Sequence, residues 1–256
     1  MYRFLIAAFM KFSELFDINE IKDALYDALL SALKDFSNTE NNADVYAIAL
    51  DCQTDGTVWL RFHNNATFSK TAGEYADKWG YGDSDIYGFH ALQYHVGDFE
   101  SITYSGDEDF VAKNRKIAEF FDVYTLVLCG MGYAESGIVR ELTQLQPTDN
   151  GVTFDVMQSP PPPESYFWSE LVVPEEKKKE YDEARDVFAA MFWDIVYDCT
   201  LRLKENIGFI NKTENFIIFA VDHDMSEEQT EISMRKSIDE ELFAKLLSIH
   251  GKDDTN

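Results

Sequence analysis

The order of elements along this chain predicts an α+β fold, with an antiparallel or mixed β-sheet packed against several α-helices. Three observations carry that expectation. Helix and hairpin signals open the chain, a helical block fills its middle, and a strongly apolar strand returns near its end. The regular strand–helix alternation of a doubly wound α/β protein is therefore missing. Hydrophobic residues make up 45% of 256 positions, with 20 Phe, 13 Tyr and 4 Trp, so one large domain over residues 1–256 can bury its own core.

The first helix rests on Ile21, Leu25, Ala28, Leu29, Ala32 and Phe36, which recur at helical spacing behind a capping box of Asp17 and Glu20. A hairpin follows. Val45 to Leu50 is a continuous apolar run that reads as a strand buried on both faces, Asp55-Gly56 is a turn signal, and Thr57 to Phe62 alternates. Thr67 to Trp79 reads as helix, broken by the run Gly80 to Asp85. Ile86 to Val96 and Glu100 to Tyr104 are expected to form a second antiparallel pair around Gly97-Asp98.

Two helices are expected over Ala112 to Phe121 and Val123 to Gln146, the second interrupted near Gly130 and Gly132, with a short strand at Val152 to Met157. Pro160 to Pro163 cannot be helix or central strand, so residues 159–164 form a surface loop and the one candidate internal boundary. Pro174 then opens a long helix reaching Asn206. Asn215 to Val221, the most hydrophobic strand, is expected at the centre of the sheet. The acidic segment Asp222 to Glu231 leads through a last short strand or turn to a helix from Asp239 to Ile249.

Charge narrows the function classes. With 47 acidic against 22 basic residues the net charge is −25, a field that repels phosphates and anionic lipid and speeds encounter with basic partners. Nucleic-acid and membrane partners are not expected. The opening segment lacks the form of a signal peptide, and no apolar run reaches the ~18 residues of a membrane span. Cys52, Cys129 and Cys199 are odd in number and widely spaced, which fits a reducing cytoplasm.

Chemical constellations are few. Asp222, His223 and Asp224 close the 215–221 strand, and on extended backbone the two carboxylates would share one face, suiting a divalent cation in a metal-assisted hydrolase. A polar strand end entering a solvated acidic loop explains the same residues. His90, His95 and Asp98 suggest a metal centre, but odd spacing puts the imidazoles on opposite faces of a regular strand. Cys129 has only Arg140 as a basic residue between Lys116 and Lys177, too little to sustain a thiolate. The glycines around it do not complete a dinucleotide fingerprint, and no cofactor is expected.

The remaining concentration lies between Asp77 and Asp109, where eight acids and one base, Lys78, are interleaved with aromatics. Trp79, Tyr81, Asp83, Asp85, Tyr87, Tyr94, Asp98 and Glu100 are the candidate contact residues for a basic protein. Charge would steer the approach while aromatic side chains supply desolvated anchors. Aromatics that face inward beneath solubilising acids would give the same composition.

Two stretches also carry a resemblance: Val45-Tyr46-Ala47-Ile48-Ala49-Leu50 through Asp55-Gly56 to Tyr94-His95-Val96-Gly97-Asp98-Phe99, and Thr213 to Asp224 followed by Ser237-Ile238. Together they resemble the bacterial family known as domain of unknown function 4303. The resemblance implies a single-domain bacterial protein with no catalytic residues to carry over, from a group suspected of acting as immunity proteins in toxin systems. The expectation is thus a non-enzymatic cytoplasmic binding protein, immunity- or antitoxin-like, that masks a basic toxin. A hydrolase using Asp222 and Asp224 is the alternative.

Overall fold

The computed structural model describes residues 16–53, 56–129, 131–133, 168–170, 178–222 and 224–248. Outside them lie His223, the 159–164 proline stretch, the expected strand at Val152 to Met157, the continuation of the second middle helix to Gln146, and Pro174. The described chain is α+β, as the element order predicts. It falls into two compact units, one drawn from residues up to Ala24, Gly56 and Lys113–Ile195, the other from Leu25–Gln53, Thr57–Ala112 and Val196 onward.

The second unit holds the sheet. Strand β1 (Val45–Cys52) pairs antiparallel with β2 (Val58–Asn64), β2 pairs antiparallel with β3 (Glu100–Tyr104), and β1 pairs parallel with β6 (Lys212–Val221). The order β3-β2-β1-β6 makes a mixed sheet. All eight residues of β1 are buried, because the strand has neighbours on both edges and cover on both faces. Gln53 N–H donates to the Thr57 carbonyl at 2.8 Å to close the hairpin, with Gly56 at φ +84°.

Helix α1 (Ile18–Phe36) begins where the Asp17 carboxylate accepts the Asn19 and Glu20 N–H groups at 3.0 and 3.3 Å. Within this unit Leu25, Leu29, Leu33 and Phe36 form its buried stripe, and Phe36 meets Phe62 of β2 at 4.6 Å between ring centroids. The opposite face of the sheet presents Tyr46, Ala47, Ala49, Ile217, Phe219 and Val221 to a second core. That core is completed by Phe68 and Ala72 of α2 (Asn65–Trp79), by Ile86, Phe89, Tyr94, Val96 and Phe99, by Met234 of α7 (Glu227–Met234) and by Phe243 and Leu246 of α8 (Glu240–Ser248).

The first unit is an aromatic core. Helix α5 (Arg115–Cys129) and residues 178–195 of α6 (Lys178–Asn206) meet through Phe120 and Phe188 at 5.3 Å and through Tyr124 stacked on Phe192 at 4.2 Å. Short strands β4 (Met131–Tyr133) and β5 (Trp168–Glu170) form an antiparallel pair.

Four expectations are corrected. Ile86–Val96 is not a strand: helix α3 (Asp83–Ile86) is followed by 3-10 turns at Leu92–Tyr94 and Val96–Asp98, and β3 pairs with β2 instead. Ile86, Phe89 and Leu92 are buried along a run of bends and turns, and Gly88 at φ +132° bends the chain away from extended geometry. The middle helices do not break at Phe121–Val123. Ile117, Phe120, Phe121 and Tyr124 form one stripe, so α5 runs unbroken after α4 (Glu108–Lys113).

Strand β6 lies at a sheet edge, not at the centre. Its run from Ile217 to Val221 is buried by packing on its faces, and the Ser233 hydroxyl of α7 donates to the Ala220 carbonyl at 2.6 Å. Helix α7 also replaces part of the expected acidic loop, capped by reciprocal Ser226 and Gln229 hydrogen bonds.

Candidate interaction surface

The aromatic, acidic segment is built by two helix ends. Asn64 and Thr67 form the capping box that starts α2, each side chain accepting the other residue's N–H, at 2.8 and 3.1 Å. Gly80 stops the helix in the left-handed region at φ +70°, its N–H donating to the Ala76 carbonyl. The chain then turns through Gly82, whose N–H donates to the Asp85 carboxylate at 2.9 Å, into α3.

This path leaves Trp79, Tyr81 and Tyr87 on the surface with 70%, 41% and 51% of their area exposed. Glu74, Asp77, Asp83 and Asp85 are exposed around them, with Lys78 held to Glu74 at 3.4 Å. Two of the three rings are braced. Tyr81 packs edge-on to Tyr75 at 5.2 Å, and Tyr87 edge-on to Phe68 at 5.5 Å. Such bracing lowers the ordering cost of a contact, because the rings are already placed.

Other candidates fall elsewhere. Tyr94 is a core residue, 5.7 Å from Tyr46 and 5.9 Å from Phe89, and burial pushes its hydroxyl up to about 12, so it is removed from the surface set. Glu100 is exposed at the start of β3, opposite Phe62. Asp98 is committed internally: it accepts from the Tyr75 hydroxyl at 2.7 Å and pairs with His95 Nδ1 at 2.8 Å. Burial alone would raise the Asp98 carboxyl, but the bonds from His95 and Tyr75 outweigh it and hold the group below its usual range. The Asp98 bond raises His95 and takes Tyr75 up to about 12.

Beneath this segment lies a polar group that sequence reading missed. Trp59, Arg61 and His63 alternate with the apolar face of β2 and look solvent-facing, yet they point into the second core opposite Asp51, Ala49 and Ala47. Arg61 Nε is 2.9 Å from the fully buried Asp51 carboxylate, and Arg61 Nη1 donates to the Phe99 carbonyl at 3.1 Å. His63 has no exposed area. Tyr46 Oη lies 2.8 Å from both His63 Nδ1 and the Gln93 carbonyl. A carbonyl can only accept, so Tyr46 donates to Gln93 and His63 Nδ1–H donates to Tyr46. The imidazole is then neutral with its proton on Nδ1, and its Nε2 lone pair makes no hydrogen bond. The available signal was His63 itself, an ionisable side chain one strand register from Tyr46.

The proposed metal and catalytic residues are not brought together as expected. Strand β6 ends at Val221, so Asp222 and Asp224 lie outside it and the strand alternation that would give them a shared face does not apply. Asp222 Oδ1 instead accepts the Asp224 N–H at 2.9 Å, and its carbonyl accepts the Met225 N–H, which shapes a turn. His90 Nε2 pairs with Glu231 at 3.0 Å, whereas His95 pairs with Asp98. Among the described residues no three His, Cys, Asp or Glu side chains converge as a metal site. Nor is any described helix long and apolar enough to cross a membrane.

The chain matches no known protein family, no curated protein and no solved structure.

Proposed function

We propose that this chain is a non-enzymatic protein-binding module, of the immunity or antitoxin kind, that engages a basic protein through the end of α2 and α3. The observation that carries the reading is the exposure of Trp79, Tyr81 and Tyr87 within a field of Glu74, Asp77, Asp83 and Asp85. Exposed, braced aromatics are anchors for desolvated contact, and the surrounding acids favour a cationic partner. The partner's positive rim would be covered and its own substrate occluded. The buried free thiols Cys52 and Cys199 suit a reducing cytoplasm.

The test is affinity capture from the native host with the parent chain and with a Trp79→Ala, Tyr81→Ala, Tyr87→Ala triple variant. The captured partner should be basic, its affinity should fall with added salt, and the triple variant should lose at least ~30-fold in Kd, a hot-spot loss of about 2 kcal/mol. An acidic or neutral partner, or unchanged binding by a folded triple variant, defeats the reading.

A further inference from the structure

Ile86 to Phe99 is an irregular flap lying over the β2 side of the sheet, and its hydrogen bonds to the sheet are few and specific. The Gln93 carbonyl accepts from Tyr46, and the Phe99 carbonyl accepts from Arg61. Gln93 also closes the flap on itself, its Oε1 accepting the Gly88 N–H at 3.0 Å. Elsewhere it is held by packing and by ties to helices: Phe99 lies 4.8 Å from the His63 ring, Tyr94 5.7 Å from Tyr46 and Phe89 5.0 Å from Phe243, Asp98 accepts from Tyr75 of α2, and His90 pairs with Glu231 of α7. Among the described residues His63 is therefore the titratable imidazole under the flap, and it is joined to it through Tyr46.

We propose that the segment Ile86–Phe99 is an acid-released latch, which opens from the sheet when the buried His63 beneath it takes up a proton. A second proton is poorly housed in the closed arrangement. Nδ1–H already serves Tyr46, Nε2 is buried and makes no hydrogen bond while the ring is neutral, and Tyr46 cannot donate to His63 without abandoning Gln93. The groups around the ring come from every neighbouring element. Tyr46 faces it from β1, Phe68 and the Thr67 carbonyl from α2, and Asp98 and Phe99 from the flap, with Arg61 two residues along β2. Asp98 and the Thr67 carbonyl favour the cation, but burial outweighs them and lowers His63 to about 4. The His95–Asp98 pair is internal to the flap, and release breaks the bond that Asp98 accepts from Tyr75 of α2.

Opening hydrates the imidazole, which then titrates near its ordinary ~6.5. Between pH 7.5 and pH 5 the open population should thus grow roughly 30-fold relative to the closed one. Tyr87 rides on this segment, so release also dismantles one aromatic of the surface above. The inference does not depend on any partner.

Hydrogen exchange of the full chain, expressed as protection factors corrected for the pH dependence of intrinsic exchange, tests it directly. The amides of Tyr94, His95, Asp98 and Phe99 are bonded in three-residue 3-10 turns too short to persist once the segment leaves the sheet, so they should lose roughly 30-fold in protection from pH 7.5 to 5 while Leu29 in α1 does not. His63→Gln should remove that pH dependence. Flat flap protection in the parent chain overturns the proposal without any variant, and so does an equal acid-induced loss in a folded His63→Gln chain.

Discussion

Replacing Arg61 with methionine should be among the most damaging single changes in the sheet-bearing unit. Asp51 is completely buried, and the Arg61 guanidinium at 2.9 Å, itself 15% exposed, is the cation beside it. Removing one partner of a buried pair strips the other charge of its ion-pair partner, which typically costs about 3–5 kcal/mol. The loss also takes the hydrogen bond to the Phe99 carbonyl and the guanidinium 4.8 Å over the Trp59 ring, so the upper part of that range is expected. For a chain of this size the melting temperature should fall by on the order of 10 °C. Urea denaturation at pH 7 measures the free energy, and the double variant Asp51→Leu, Arg61→Met supplies the control. The double variant should recover most of the loss, because an apolar pair removes both charges from the interior. A single variant within about 1 kcal/mol of the parent refutes the reasoning, as does a double variant that loses the full sum of the two singles.

Two further predictions concern turns and pH. Gly56 and Gly80 both have positive φ, but a Cβ at Gly56 would stand 2.6 Å from Tyr124 Cδ1 whereas Gly80 faces open space. Gly80→Ala should therefore cost about 1 kcal/mol of backbone strain and Gly56→Ala about 1–3 kcal/mol more, read as the difference in denaturation midpoints. Asp98→Asn should destabilise in a pH-dependent way. His95 is raised in the folded state, so its contribution is present below its ordinary ~6.5 and lost as pH rises through the folded value. Asp98 is lowered, so its contribution is present above its ordinary ~4 and lost as pH falls through the folded value. The gap between parent and variant should be widest near pH 5–6 and narrow by pH 8. A gap that widens toward pH 8 contradicts the pairing.

Periodicity alone placed α1, the β1–β2 hairpin, the stop at Gly80 and the end of α6 at Asn206, because each depends on local chemistry: a cap, a turn glycine, a stripe. It also marked Trp79, Tyr81, Asp83, Asp85 and Tyr87, whose exposure follows from the helix stop beside them. What it misplaced depends on neighbours far away in the chain. An apolar run such as Ile217–Val221 reads the same at a sheet centre or at an edge covered by helices, so β6 could be located only by its pairing with β1. The run Ile86–Val96 alternates well enough to pass for a strand, and only its packing into the core beside β1, β6 and α8 selects bends and short 3-10 turns instead. Likewise Arg61 and His63 occupy positions that alternation assigns to solvent. A second layer buries them, and that burial, which no local pattern encodes, turns an ordinary imidazole into a strongly shifted one.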